Sequence, residues 1–81
     1  MSDEKYPLEI DEAADAAYVR VSKAPVARTQ EIADGIMIDL DANDDLAGVE
    51  VLGLRNRVGS DDRASYLHGL VAVLRLRTAA V

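Results

Sequence analysis

Between residues 6 and 54 apolar side chains recur at every second position in short runs, and turn-forming residues interrupt the runs about every eight to twelve positions. A period of two belongs to strands, whose successive side chains point to opposite faces, so this stretch favours strands over helices. Tyr6, Leu8 and Ile10 alternate with Pro7 and Glu9, and the proline suits an edge or a strand start. Ala17, Val19 and Val21 then oppose Tyr18, Arg20 and Ser22 in a half-buried strand closed by Lys23, Ala24 and Pro25. Residues 26–32 are more polar and read as a strand with one face in solvent, at an edge.

Asp34-Gly35, with apolar runs on both sides, marks a tight hairpin turn, because glycine accepts the positive φ that such turns demand. The strand it opens sets Ile36, Ile38 and Leu40 against Met37, Asp39 and Asp41, an alternation that specifies its register. Residues 42–45 form the next turn. Residues 46–52 return as a strand with Val49 and Val51 inward, and Gly48 reads as a bulge.

The period changes after Gly53. Residues 53–60 form a basic connector, Ser60 is placed to N-cap a helix, and Asp61 and Asp62 suit its first turn. Ala64, Leu67, Val71 and Leu74 recur at helical spacing, which predicts a helix over residues 61–77 with Arg75 and Arg77 near its C-terminus. Gly69 weakens such a helix by about 1 kcal/mol. Residues 70–77 also alternate in the manner of a strand, so both forms stay open there. The expected fold is α+β: an antiparallel β-meander of four to five short strands followed by one C-terminal helix, in a single domain over residues 1–81.

A domain of this size buries only roughly 60–65 per cent of the surface its unfolded chain exposes, and small domains supplement so small a core with disulfides, metals or association. The chain has no cysteine and only one histidine, His68, which leaves a homodimer as the expected supplement. Leu70, Val73 and Leu76 widen the apolar face of the helix beyond what one small sheet covers, and these three are the candidates for contact with a second copy. No run approaches the roughly 18 apolar residues that span a bilayer, and the first residues are charged where a signal peptide is apolar. No membrane association is expected, and the expected location is cytoplasmic.

Fifteen acids against nine bases give a net charge of −6, distributed as −9 over residues 1–50 and +3 over residues 51–81. This balance argues against nucleic acid as a partner and suits a basic protein instead. Arg55, Arg57 and Arg63 form the basic cluster, expected to pair with the acidic half of this chain or of a second copy. No glycine-rich phosphate loop is present, so no nucleotide cofactor is expected.

Three constellations invite chemistry. Counted from Asp39, the residues Asp41, Asn43, Asp45 and Glu50 fall at the oxygen-ligand spacings of a helix-flanked calcium loop. Asp44 stands where that loop needs glycine, and the flanks read as strands, so a polar hairpin turn is preferred and a divalent metal is the alternative. Asp11, Glu12 and Asp15 with Tyr18 would serve acid/base chemistry only in a cleft, and so short a chain builds one with difficulty. His68 with Tyr66 and Ser65 lies on the helix, where neighbours in sequence point different ways. No catalytic residues and no cofactor are expected, and the chain reads as a non-enzymatic protein.

The run from Ile10 to Val21, with its Glu12-Ala13-Ala14-Asp15-Ala16-Ala17-Tyr18 block, then Val26-Ala27-Arg28-Thr29, Asp34-Gly35-Ile36-Met37-Ile38-Asp39 and Gly48-Val49-Glu50-Val51, resembles the small bacterial domain-of-unknown-function family 2283 over about residues 6–54. The chain departs from the family's pattern at Ile10-Asp11, where members carry Tyr-Asp, and at Asn43-Asp44, where they carry a glycine turn. The resemblance implies a β-meander with an attached helix and supplies no catalytic residues. It also implies a partner-binding, antitoxin-like role, because members are similar to genes found beside small basic toxin-like proteins.

Overall fold

The computed structural model describes residues 6–79, with side chains to residue 76. Five strands, β1 (Leu8–Asp11), β2 (Ala16–Arg20), β3 (Arg28–Ala33), β4 (Ile36–Leu40) and β5 (Leu46–Leu52), precede one helix, α1 (Arg63–Ala79). All neighbouring strands are antiparallel, in the order β1-β2-β5-β4-β3. The α+β architecture with a C-terminal helix is therefore the one the sequence implies, and the sheet is a hairpin joined to a three-stranded meander. Residues 21–27 make the crossing between them. They pass the ends of β5 and β4, where the Val21 and Ser22 N–H groups donate to the Ala47 carbonyl (2.9 and 3.1 Å) and the Ala27 N–H donates to the Leu40 carbonyl (2.8 Å).

One face of the sheet carries the core. Ala17 and Val19 of β2, Ile36, Ile38 and Leu40 of β4, and Leu46, Val49 and Val51 of β5 are buried there beneath Leu67, Val71 and Leu74 of the helix. Leu67, Val71 and Leu74 recur every three or four residues, so one stripe of α1 meets the sheet. Residues 70–76 are helical, which settles the competition with an extended form in favour of the 3.6-residue period. Ala64, placed on that stripe by spacing, is exposed, and Leu54 from the connector fills the core at 1 % exposure instead. Ser60 does not N-cap α1. It opens a 3-10 turn, Ser60–Asp62, in which the Asp62 N–H donates to the Gly59 carbonyl (3.0 Å), and the chain enters the helix through that turn.

The turns follow their residue chemistry. Gly35 has φ +78, while Asp34 is not in the left-handed region, and the register of β3 against β4 shifts between Glu31 and Ala33 to accommodate this. Asp44 has φ 66 in the next turn, which Asp41 organises: its Oδ1 accepts from the N–H groups of Asn43 (2.8 Å) and Asp45 (3.0 Å). The irregularity in β5 falls between the Leu40–Leu46 and Asp39–Gly48 pairs, so Ala47, not Gly48, is the extra residue.

The basic connector locks the β1–β2 turn. Asp15, at φ 54, offers its carbonyl to the Leu54 N–H (3.0 Å) and its carboxylate to the Arg55 N–H (3.0 Å). Arg55 also donates to the Glu12 carbonyl (2.8 Å), and Arg63 pairs with the Glu12 carboxylate at 2.7 Å. Arg57 donates to the carbonyls of Leu52 (2.7 Å) and Asp34 (2.6 Å), tying β5 to the β3–β4 turn. The smallest dimension of the domain is 20 Å, that of one sheet and one helical layer. Among the described residues, no layer lies over the other face of the sheet.

Candidate interaction surface

Register builds that second face in rows, because residues directly opposite on paired strands share a side of the sheet. Glu9, Tyr18, Glu50, Met37 and Glu31 form one row across all five strands. Arg20, Gly48, Asp39 and Thr29 form the row to one side, and Asp11, Ala16 and Leu52 that to the other. Among the described residues, five carboxylates (Glu9, Asp11, Glu31, Asp39 and Glu50) thus share this face with a single guanidinium, that of Arg20.

Tyr18 lies flat across Gly48. A Cβ at position 48 would stand 1.9 Å from the Tyr18 hydroxyl, so the glycine is required by close approach and not by φ. The hydroxyl crosses diagonally to donate to Asp39 Oδ2 at 2.7 Å, while the Thr29 hydroxyl donates to Oδ1 at 2.6 Å. Burial, then the hydrogen bond to Asp39 and its negative charge, push the Tyr18 pKa up to about 12, opposed only by Arg20. Tyr18 therefore stays a protonated donor at neutral pH. The Arg20 guanidinium sits 5.6 Å from the centre of the Tyr18 ring, on a surface that already accepts a cation against an aromatic face.

In the acidic turn singled out for metal, Asp39, Asp41 and Asp44 are engaged within the protein by backbone N–H groups and by other side chains. Asp39 is held by Tyr18 and Thr29, Asp41 by the N–H groups of Asn43 and Asp45, and Asp44 by Arg28 at 2.9 Å, while Glu50 stands on the open face in β5. No group of three or more metal-ligating side chains is assembled among the described residues. Asp11, Glu12 and Asp15 are likewise engaged, Asp11 by the Ala14 N–H (3.1 Å), Glu12 by Arg63 and Asp15 by the Arg55 N–H, and the Tyr18 hydroxyl donates instead to Asp39. His68 accepts from the Tyr6 N–H (3.2 Å), and Arg75 donates to the Tyr6 hydroxyl, so both residues fasten the start of the sheet to α1.

The three helix candidates separate. Leu70 is half-buried against the core, whereas Val73 and Leu76 are 55 % and 72 % exposed. The Tyr18–Gly48–Asp39–Thr29 group escaped the sequence reading because its members are far apart along the chain. The one available signal was a glycine in the middle of an apolar strand.

A two-layer α+β domain with an acidic, uncovered sheet face is the class that fold and surface define. Its family follows from residues 8–55, more than half of the chain, which match the family model described as Protein of unknown function (DUF2283); the protein belongs to that family. No curated protein and no solved structure matches the chain at a significant level. Among the described residues no helix is long and apolar enough to cross a membrane.

Proposed function

We propose that the domain is a non-enzymatic protein-interaction module of antitoxin-like character, which presents its open sheet face to a basic partner. The observation that carries this reading is the separation of charge. Arg28, Arg55, Arg57 and Arg63 are bonded within the chain, while among the described residues the open face keeps five carboxylates beside Arg20 alone. An acidic face of this kind steers a basic protein and disfavours an acidic one.

The test is retention of host proteins at low salt by the wild type and by a variant carrying Glu9→Gln, Glu31→Gln and Glu50→Gln. A basic protein held by the wild type and released by the variant is the expected result. Recovery of nothing but further copies of the chain contradicts it.

Self-association through α1 accompanies this proposal, supported by the exposure of Val73 and Leu76 on a helix otherwise packed against the sheet. Sedimentation at tens of micromolar is expected to show a dimer that Leu76→Glu converts to monomer. A monomeric wild type removes this part.

A further inference from the structure

The open face carries large side chains with apolar bodies around the Glu50 carboxylate at its centre. Tyr18, Met37 and Leu52 occupy the three central strands β2, β4 and β5, and Glu9 and Glu31 stand on the outermost strands β1 and β3. Antiparallel sheets commonly leave one face to water with polar side chains outward, and Tyr18, Met37 and Leu52 depart from that pattern on three adjacent strands. From this arrangement we infer that the face docks an amphipathic helix of the basic partner, laid along the strands with lysines or arginines on both flanks of its apolar stripe. The inference rests on the proposed interaction role and specifies what the partner presents.

The dimensions agree. Four inter-strand spacings separate β1 from β3, about 19 Å in all. A helix is about 10–12 Å across, so one lying over β5 covers Tyr18 and Met37 and leaves Glu9 and Glu31 at its sides, within reach of flanking lysines. Glu50, between Tyr18 and Met37, adds a requirement: a carboxylate covered without a partner is costly, so the stripe must contain one basic residue opposite it. A second copy does not fit, because two such faces would set like carboxylates against each other. A partner strand would pair with an edge and leave this face bare. A docked helix would complete a helix–sheet–helix sandwich, in which both faces of the sheet are covered.

The experiment uses the whole chain and two synthetic 18-residue peptides of leucine and lysine with one arginine. In one, leucines follow helical spacing with the arginine inside the stripe; the other is a scrambled sequence of the same composition with no apolar face. The patterned peptide is expected to bind at least tenfold more tightly, to shift the amides of Tyr18, Met37 and Glu50, and to lose at least tenfold in affinity to Met37→Glu. Met37→Gln, which adds no charge, is expected to give a smaller loss, and far-UV circular dichroism verifies that both variants fold. Equal binding of the scrambled peptide overturns helix docking and leaves the acidic interaction role standing. Shifts confined to α1 overturn the site. Failure of both peptides to bind at low salt removes the inference and the proposed role together.

Discussion

The two faces of the sheet are built from the same strands and obey different rules. On the helix side, β2, β4 and β5 present alanine, valine, isoleucine and leucine, all of them buried and free of polar atoms. On the open side the alternate residues of the same strands present Tyr18, Arg20, Met37, Asp39 and Glu50, among which Tyr18 donates to Asp39 and Arg20 lies against the Tyr18 ring. A face held by burial tolerates loss of volume poorly, and a face held by a few polar contacts is sensitive only at those contacts. The contrast teaches where to separate stability from binding: the first face makes the domain, and the second is available to do something with it.

Truncation tests the contrast most severely. Leu67→Ala removes a side chain fully buried between helix and sheet and is expected to cost about 2–5 kcal/mol in urea unfolding. Met37→Ala, at the centre of the open face, is expected to cost about 1 kcal/mol or less. Equal losses would erase the distinction between the faces.

Gly48→Ala comes next, because its methyl group collides with Tyr18. A loss of about 1–3 kcal/mol is expected, as for overpacked sites. In a Tyr18→Ala background the same substitution should cost less by at least about 0.5 kcal/mol, and additivity of the two changes would show that the ring is not what holds position 48 empty.

Tyr18→Phe is smaller again, about 1 kcal/mol, and carries a pH signature. The Tyr18 pKa is raised in the folded state from 10.0 to about 12, so the folded protein binds the proton more tightly than the unfolded chain does. The stabilisation is fully present below pH 10 and is lost as pH rises toward 12. The wild type should therefore lose more stability than Tyr18→Phe across that interval, and parallel pH profiles would contradict the clamp on Asp39.

The smallest effect lies away from both faces. Gly69 is exposed on α1 with open space where a Cβ would stand, and Gly69→Ala should add about 0.5–1 kcal/mol without altering the affinity for the basic partner.

Much of the fold is legible in alternation. The strand positions follow from a two-residue period, the Asp34-Gly35 turn from glycine's access to positive φ, and α1 from the recurrence of Leu67, Val71 and Leu74. Strand order is not legible in the same way, because alternation assigns a residue to a face without naming the strand beside it. The sequence therefore does not show that β2 lies against β5, or that Tyr18 meets Asp39 across Gly48. The burial of Leu54 is not legible, because one apolar residue in a basic connector has no period. The arginines were recognised as partners for the acidic half, but their bonds to the carbonyls of Glu12, Asp34 and Leu52 depend on backbone geometry that side-chain chemistry does not encode. Charge is the most informative feature for the surface, since pairing the strands brings five carboxylates of residues 1–50 onto the open face, while six others lie in the turns.

Whether the placement of those five carboxylates matters is decided by comparing equal charge changes at two places. The open-face variant (Glu9→Gln, Glu31→Gln, Glu50→Gln) and a control variant in the turns and the helix entrance (Asp34→Asn, Asp45→Asn, Asp61→Asn) each remove three carboxylates. Calorimetric titration of the basic host partner should show at least a tenfold loss of affinity for the open-face variant and little change for the control, whereas equal losses would mean that net charge, and not the uncovered face of the sheet, governs recognition.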